Sequence, residues 1–143
     1  MKEPMELSFD ESLDLLGGEV FGRLAFTTPR GPRIVPLNYV VHEGAIVFRT
    51  TPYSELATQA VGHDAAFEID GVDHQRQTGW SVVALGRVEE VPTPELQDLR
   101  TLWVPRPWAG GLRNLYLRLT WREISGRRIP EGFATTVPEH HLH

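Results

Sequence analysis

Cysteine is absent from this 143-residue chain. That excludes a disulfide framework, a thiolate nucleophile and a cysteine-ligated zinc site, and it is compatible with a reducing compartment. Lysine is almost absent too: Lys2 stands alone, and arginine carries the rest of the basic charge. Any anion site must therefore be built from arginine, hydroxyls and backbone N–H groups. Positive charge is in deficit as well. Lys and Arg number 14 against 19 Asp and Glu, a formal net charge of −5. That balance disfavours a general nucleic-acid binder, which needs a basic footprint, and it disfavours attraction to an anionic membrane. No apolar run opens the chain as a secretory signal would. No stretch reaches the roughly 18 apolar residues of a membrane span. The expectation is a cytoplasmic protein with no nucleic-acid or membrane partner.

The length fits a single domain over 1–143, with a core at about residues 8–130 and a flexible tail over 131–143. Residues 8–11, Ser-Phe-Asp-Glu, form a capping box. Phe9, Leu13 and Leu16 then fall on one face of a short helix, which Gly17 and Gly18 end. From Val20 the pattern turns to strands. Runs at 20–27, 33–42 and 45–51, separated by turn clusters at 29–32 and 42–44, predict an antiparallel meander. Pro36 lies inside the second run and marks an edge, a bulge or an opening. Ser54 caps a short helix to about Val61, and Thr93-Pro94 starts another over 94–102. Further strands fall at 64–70, 79–91 and 113–125, with loops at 71–77 and 103–111. About six strands with few helices make the fold mainly β, an antiparallel barrel or sandwich. Neither GxGxxG nor a Walker motif occurs, so a Rossmann or P-loop architecture is disfavoured.

Three segments bring chemistry-bearing residues together. Residues 48–56 end a strand, turn at Pro52 and open a short helix. Arg49, Thr50, Thr51 and Ser54 supply a guanidinium, hydroxyls and helix-start N–H groups, the parts of an anion cradle. On spacing alone they equally make a capped turn beside a solvated arginine, and polar turns are the commoner case. In the second segment, Val35, Pro36, Leu37 and Asn38, the proline frees backbone groups that a planar ring can use; an edge strand with a bulge reads the same way. In the third, Gly79 permits close approach, Trp80 offers a flat wall and Ser81 a hydroxyl, or the tryptophan simply fills the core. His63 and His74 have no partners at metal spacing, and His140, His141 and His143 form a terminal run that is no built metal site. Asp64, Glu68 and Asp70 alternate along one strand and read as a solvated face rather than an acid/base pair.

Taken in order, these segments resemble the FMN-binding split-barrel family related to pyridoxamine 5′-phosphate oxidase. The resemblance is carried by Gly22-Arg-Leu-Ala-Phe26, Ile34-Val-Pro-Leu-Asn-Tyr39, Ile46-Val-Phe-Arg-Thr50, Phe67-Glu-Ile-Asp70, Gly79-Trp-Ser-Val82 with Gly86, and Ile124-Ser-Gly-Arg-Arg-Ile129. It implies a six-stranded antiparallel split β-barrel that forms a homodimer with two flavin sites at the interface. It implies that Arg49, Thr50, Thr51 and Ser54 hold the flavin phosphate, that the backbone of Val35, Pro36, Leu37 and Asn38 lines the ring, and that Trp80 and Ser81 sit close to the cofactor. Catalytic side chains and a metal are not implied.

Two departures stand out. Relatives often carry Lys or Arg directly after the serine, where this chain has Glu55, a change of sign in the local Coulomb interaction. The chain also ends soon after its last strand, without the arginine-bearing C-terminal segment of true pyridoxamine-phosphate oxidases, so that particular reaction is not expected. The expected function is an FMN-dependent oxidoreductase acting on a small molecule. The alternatives are a deazaflavin-dependent reductase, a non-catalytic ligand-binding module, and an interaction protein anchored by Trp103, Trp108, Tyr116 and Trp121.

Overall fold

The computed structural model describes residues 5–102 and 115–131. In chain order they form β1 (Met5–Glu6), α1 (Phe9–Gly17), β2 (Phe21–Thr28), β3 (Gly31–His42), β4 (Ala45–Thr50), α2 (Glu55–Gln59), β5 (Asp64–Asp73), β6 (Thr78–Glu90), a 3-10 turn (Thr93–Glu95), α3 (Leu96–Leu102) and β7 (Leu115–Ile129). The loop expected at 103–111 and the tail after 131 lie outside the described residues, as do Trp103 and Trp108.

Local chemistry sets the element ends. The Ser8 hydroxyl accepts the Glu11 N–H at 3.1 Å, and the Glu11 carboxylate accepts the Ser8 N–H at 3.2 Å. That reciprocal box starts α1 as expected. Its buried face is different from the one expected: Ser12 and Leu16 go inward, while Phe9 is 55% exposed. Ser12 wins because α1 rests on β7 at Gly126, where a Cβ would stand 2.5 Å from the Ser12 hydroxyl oxygen. A large side chain does not fit that contact. Between β3 and β4, Glu43 and Gly44 have φ of 47° and 75°. This two-residue turn with both central φ positive matches the twist of the flanking strands and sets the pairing of His42 with Ala45.

The strands run β7-β4-β3-β2-β5-β6, and β6 pairs back onto β7. Those six strands close the barrel the sequence predicts. A seventh, β1, adds to the outer edge of β7 at Arg127 and Arg128; two residues are too few to leave a periodic signal. The interior holds Leu24, Ile46, Phe48, Phe67, Val82 and Leu119, all fully buried, with the Tyr39 and Phe67 rings meeting edge to face at 4.8 Å. A smaller cluster outside the barrel joins Val47 and Tyr116 to Val91 and Leu99. Strand β4 is thus buried on both faces from Ala45 to Phe48, which accounts for its unbroken apolar run. Tyr116 is spent in that cluster and is no surface anchor.

The two seams that flank β7 and β3 differ. β6 and β7 pair from Gly79–Ile129 to Glu90–Leu117, with one bulge at Leu85 and Gly86. β7 runs past its expected end at 125, because Ser125 to Arg128 hide a paired strand under polar residues. By contrast β3 pairs with β4 only from Tyr39–Phe48 to His42–Ala45. Before Tyr39, β3 keeps its pairing with β2 and parts from β4. The barrel is split there.

Candidate functional site

The split forms a slot. One wall is the free edge of β3 from Gly31 to Asn38. Tyr39 donates its backbone N–H to Val20 on the β2 side at 3.1 Å. Alternation then points the N–H groups of Val35 and Leu37 toward β2, and those of Ile34 and Asn38 into the slot. Pro36 falls on the slot-facing set, opposite Arg23 of β2. Its missing N–H therefore costs no ladder bond, which is how a proline sits inside a strand at an edge. Side chains alternate too: Val35 and Leu37 pack on the core, while Ile34, Pro36 and Asn38 are exposed on the outer face. The four predicted residues at 35–38 thus share one edge through their backbone and divide between two faces by side chain.

The other wall is the end of β4 and the turn into α2. Arg49 and Thr50 are half-buried, and their β7 partners in register are Tyr116 and Leu115. The Thr50 and Ser54 hydroxyl oxygens lie 2.8 Å apart, and Ser54 also accepts the Ala57 N–H at 3.1 Å, capping α2. Each hydroxyl has one proton. One of the two protons closes the Thr50–Ser54 bond, and the other is left to donate elsewhere. Thr51 is exposed beside them. The slot thus brings together two of the three predicted segments.

Glu55 does not point idly away. Its carboxylate takes the Nε of Arg33 at 3.1 Å, joining α2 to the first part of β3 across the slot. Arg33 belongs to the β3 row of Val35, Leu37 and Tyr39. The sequence reading missed it, although a period of two places it there.

The third segment lies elsewhere. Trp80 pairs with Gly71 on one side and Arg128 on the other. From Arg128 to Tyr116, the partner of Arg49, is twelve positions along β7, a strand path of about 40 Å. Trp80 and Ser81 also face opposite ways. Trp80 packs against the core edge, its indole lying over Gly71, where a Cβ would stand 2.5 Å from the indole nitrogen. An open cleft of about 470 Å³ adjoins it, lined by Val72, Ile129, Glu19, Asp73 and Arg128 among others. Ser81 stands on the outer face, in register with Asp70 and Arg127. There the Arg23 guanidinium holds Glu68 at 2.6 Å and also Asp70. Burial lifts the Glu68 carboxyl above the ordinary carboxylate range despite Arg23, with neighbouring Asp70 adding to the rise. The face expected to be solvated is open to water at Asp64 and Asp70, and it carries ion pairs as well.

A closed six-stranded antiparallel barrel, split at one seam into a polar slot, defines the class. Residues 8–128 match the pyridoxamine 5′-phosphate oxidase family, and the chain belongs to that family. It is 32% identical over 133 residues to an uncharacterized protein of Mycobacterium tuberculosis, covering 90% of this chain and 87% of that one. Among solved structures it is similar to a FAD-binding protein of Mycobacterium smegmatis, at 27% identity and a TM-score of 0.70 over 89% of this chain and 99% of that one. It is similar as well to a conserved protein of unknown function from Corynebacterium diphtheriae, at 30% identity and a TM-score of 0.75, with 90% and 99% covered.

Proposed function

We propose that this protein is a flavin-dependent oxidoreductase that holds FMN in the slot between β3 and the end of β4, and that acts on a small molecule. The observation that carries the reading is the pairing of an open backbone edge with a hydroxyl-rich corner in one slot. The residues fit the group. Ile34 and Asn38 turn backbone N–H groups toward a ring edge, and the Thr50–Ser54 pair keeps one hydroxyl proton for a phosphate oxygen. Arg49 and Arg33 supply positive charge on either wall. The similarity to a FAD-binding protein of M. smegmatis supports a flavin as the cofactor.

When bound, a flavin supplies hydride and electron transfer; the protein's part is to position it and to exclude water. The barrel floor beneath Val35 and Leu37 is apolar, so one face of a ring seated there is dry. The β7 partner of Trp80 lies twelve positions along that strand from the partner of Arg49, and a homodimer with the flavin at its interface is the assembly that the family resemblance implies.

The test is direct. Purified protein should be yellow or should take up added FMN as a dimer, with the flavin band bleaching on addition of a nicotinamide donor. A colourless protein that takes up neither FMN nor FAD contradicts the reading. Uptake without bleaching by a nicotinamide donor leaves a binding module in place of an enzyme.

A further inference from the structure

Among the described residues, an ion pair between Arg33 and Glu55 crosses the slot, where the β3–β4 ladder is missing. Its makeup is informative. Arg33 commits two of its five N–H donors within the protein: Nε to Glu55, and a terminal nitrogen to its neighbour's carbonyl at Pro32, 3.3 Å away. The pair is open to water, with side chains 35% and 48% exposed. Such a pair is worth little, since solvent screens it and two long side chains must be ordered to make it. Glu55 follows directly on Ser54, whose hydroxyl is bonded to Thr50. A phosphate at the hydroxyl corner therefore meets a carboxylate and a guanidinium that already neutralise each other.

We infer that Arg33 and Glu55 form an exchangeable latch that sets the slot's selectivity for phosphorylated flavins. This inference rests on the flavin reading above. In the empty slot Glu55 occupies Arg33. An entering phosphate takes the guanidinium, because a dianion makes stronger, bidentate contacts with it than one screened carboxylate does. Glu55 then swings to solvent. The exchange makes Arg33 a phosphate ligand and makes Glu55 its resident competitor. The latch lowers the affinity for phosphate, and it leaves recognition of the ring untouched, since the ring contacts the edge of β3 and the apolar floor.

The experiment is a titration of riboflavin, which lacks the phosphate, and FMN, which carries it, followed by quenching of flavin fluorescence. It is run on the full chain, on Glu55→Gln and on Arg33→Ala. Glu55→Gln should tighten FMN by about fivefold, the scale of a screened ion pair. Arg33→Ala should weaken FMN by about tenfold, the scale of a charge-assisted phosphate contact. Riboflavin should bind all three proteins alike, which also reports that each is folded. Weaker FMN binding in Glu55→Gln overturns the latch, because it would make Glu55 a positioning group for Arg33. Equal shifts for FMN and riboflavin, or none for FMN, overturn it while leaving the flavin reading intact. If the unaltered protein binds neither compound, the flavin reading fails and the latch falls with it.

Discussion

The two seams of this barrel teach different things about the same kind of strand. β6 and β7 stay paired through a bulge and past a polar end. β3 and β4 begin as a tight hairpin and separate after Tyr39 and Phe48. The closed seam joins side chains of one continuous core, so its backbone groups find their partners within the sheet. The open seam leaves donors and carbonyls on β3 and draws polar side chains to the opposite wall. Unpaired edges carry a liability for aggregation. Here the edge is occupied in part by a proline and faces a turn rather than open solvent. Pairing is thus continuous at one seam of the sheet and interrupted at the other.

The division can be broken most severely at the closed seam. Gly86 sits at the bulge, and a Cβ there would overlap the Thr120 carbonyl oxygen on β7. The obstacle is backbone and cannot rotate away. Gly86→Ala should lower stability by about 3 kcal/mol or prevent folding, read by chemical denaturation. A smaller effect is expected where α1 meets the hairpin strand. The Tyr39 hydroxyl donates to the Leu16 carbonyl near the end of α1, and burial raises its pKa, so it stays protonated over the working range. Tyr39→Phe should cost about 1–2 kcal/mol, because the buried carbonyl loses its donor. Tyr39 lies where β3 leaves β4. If Tyr39→Phe were as damaging as Gly86→Ala, the contrast between the two seams would not hold.

Much of this contrast was legible in the residues. The box at Ser8 and Glu11, the turn at Glu43-Gly44 and the alternation of Leu117 and Leu119 are local signals, and the structure keeps them. Pro36 announced an edge, because a missing N–H is tolerated only where no strand accepts it. Other features needed the three-dimensional path. Phe9 has the right spacing for a buried face and is exposed, since the rotation of α1 is set by Gly126 and Ser12 across the contact. The distance of Trp80 from Arg49 follows from where β6 and β7 meet, and spacing along the chain is silent on that. Glu55 was visible as a sign change, yet its partner was not. Arg33 and Glu55 are far apart in sequence and meet only because β3 and α2 face each other over the split.

The central claim is that the free edge of β3 is where the flavin ring docks. Amide hydrogen exchange with and without saturating FMN tests it most directly, because the slot-facing N–H groups are specified one by one. The account predicts that FMN slows exchange at Ile34 and Asn38, while the β6 amides from Ala84 to Val88, paired with β7, keep their rates. FMN binding with unchanged exchange at Ile34 and Asn38, or with protection confined to the Trp80 cleft, would contradict it.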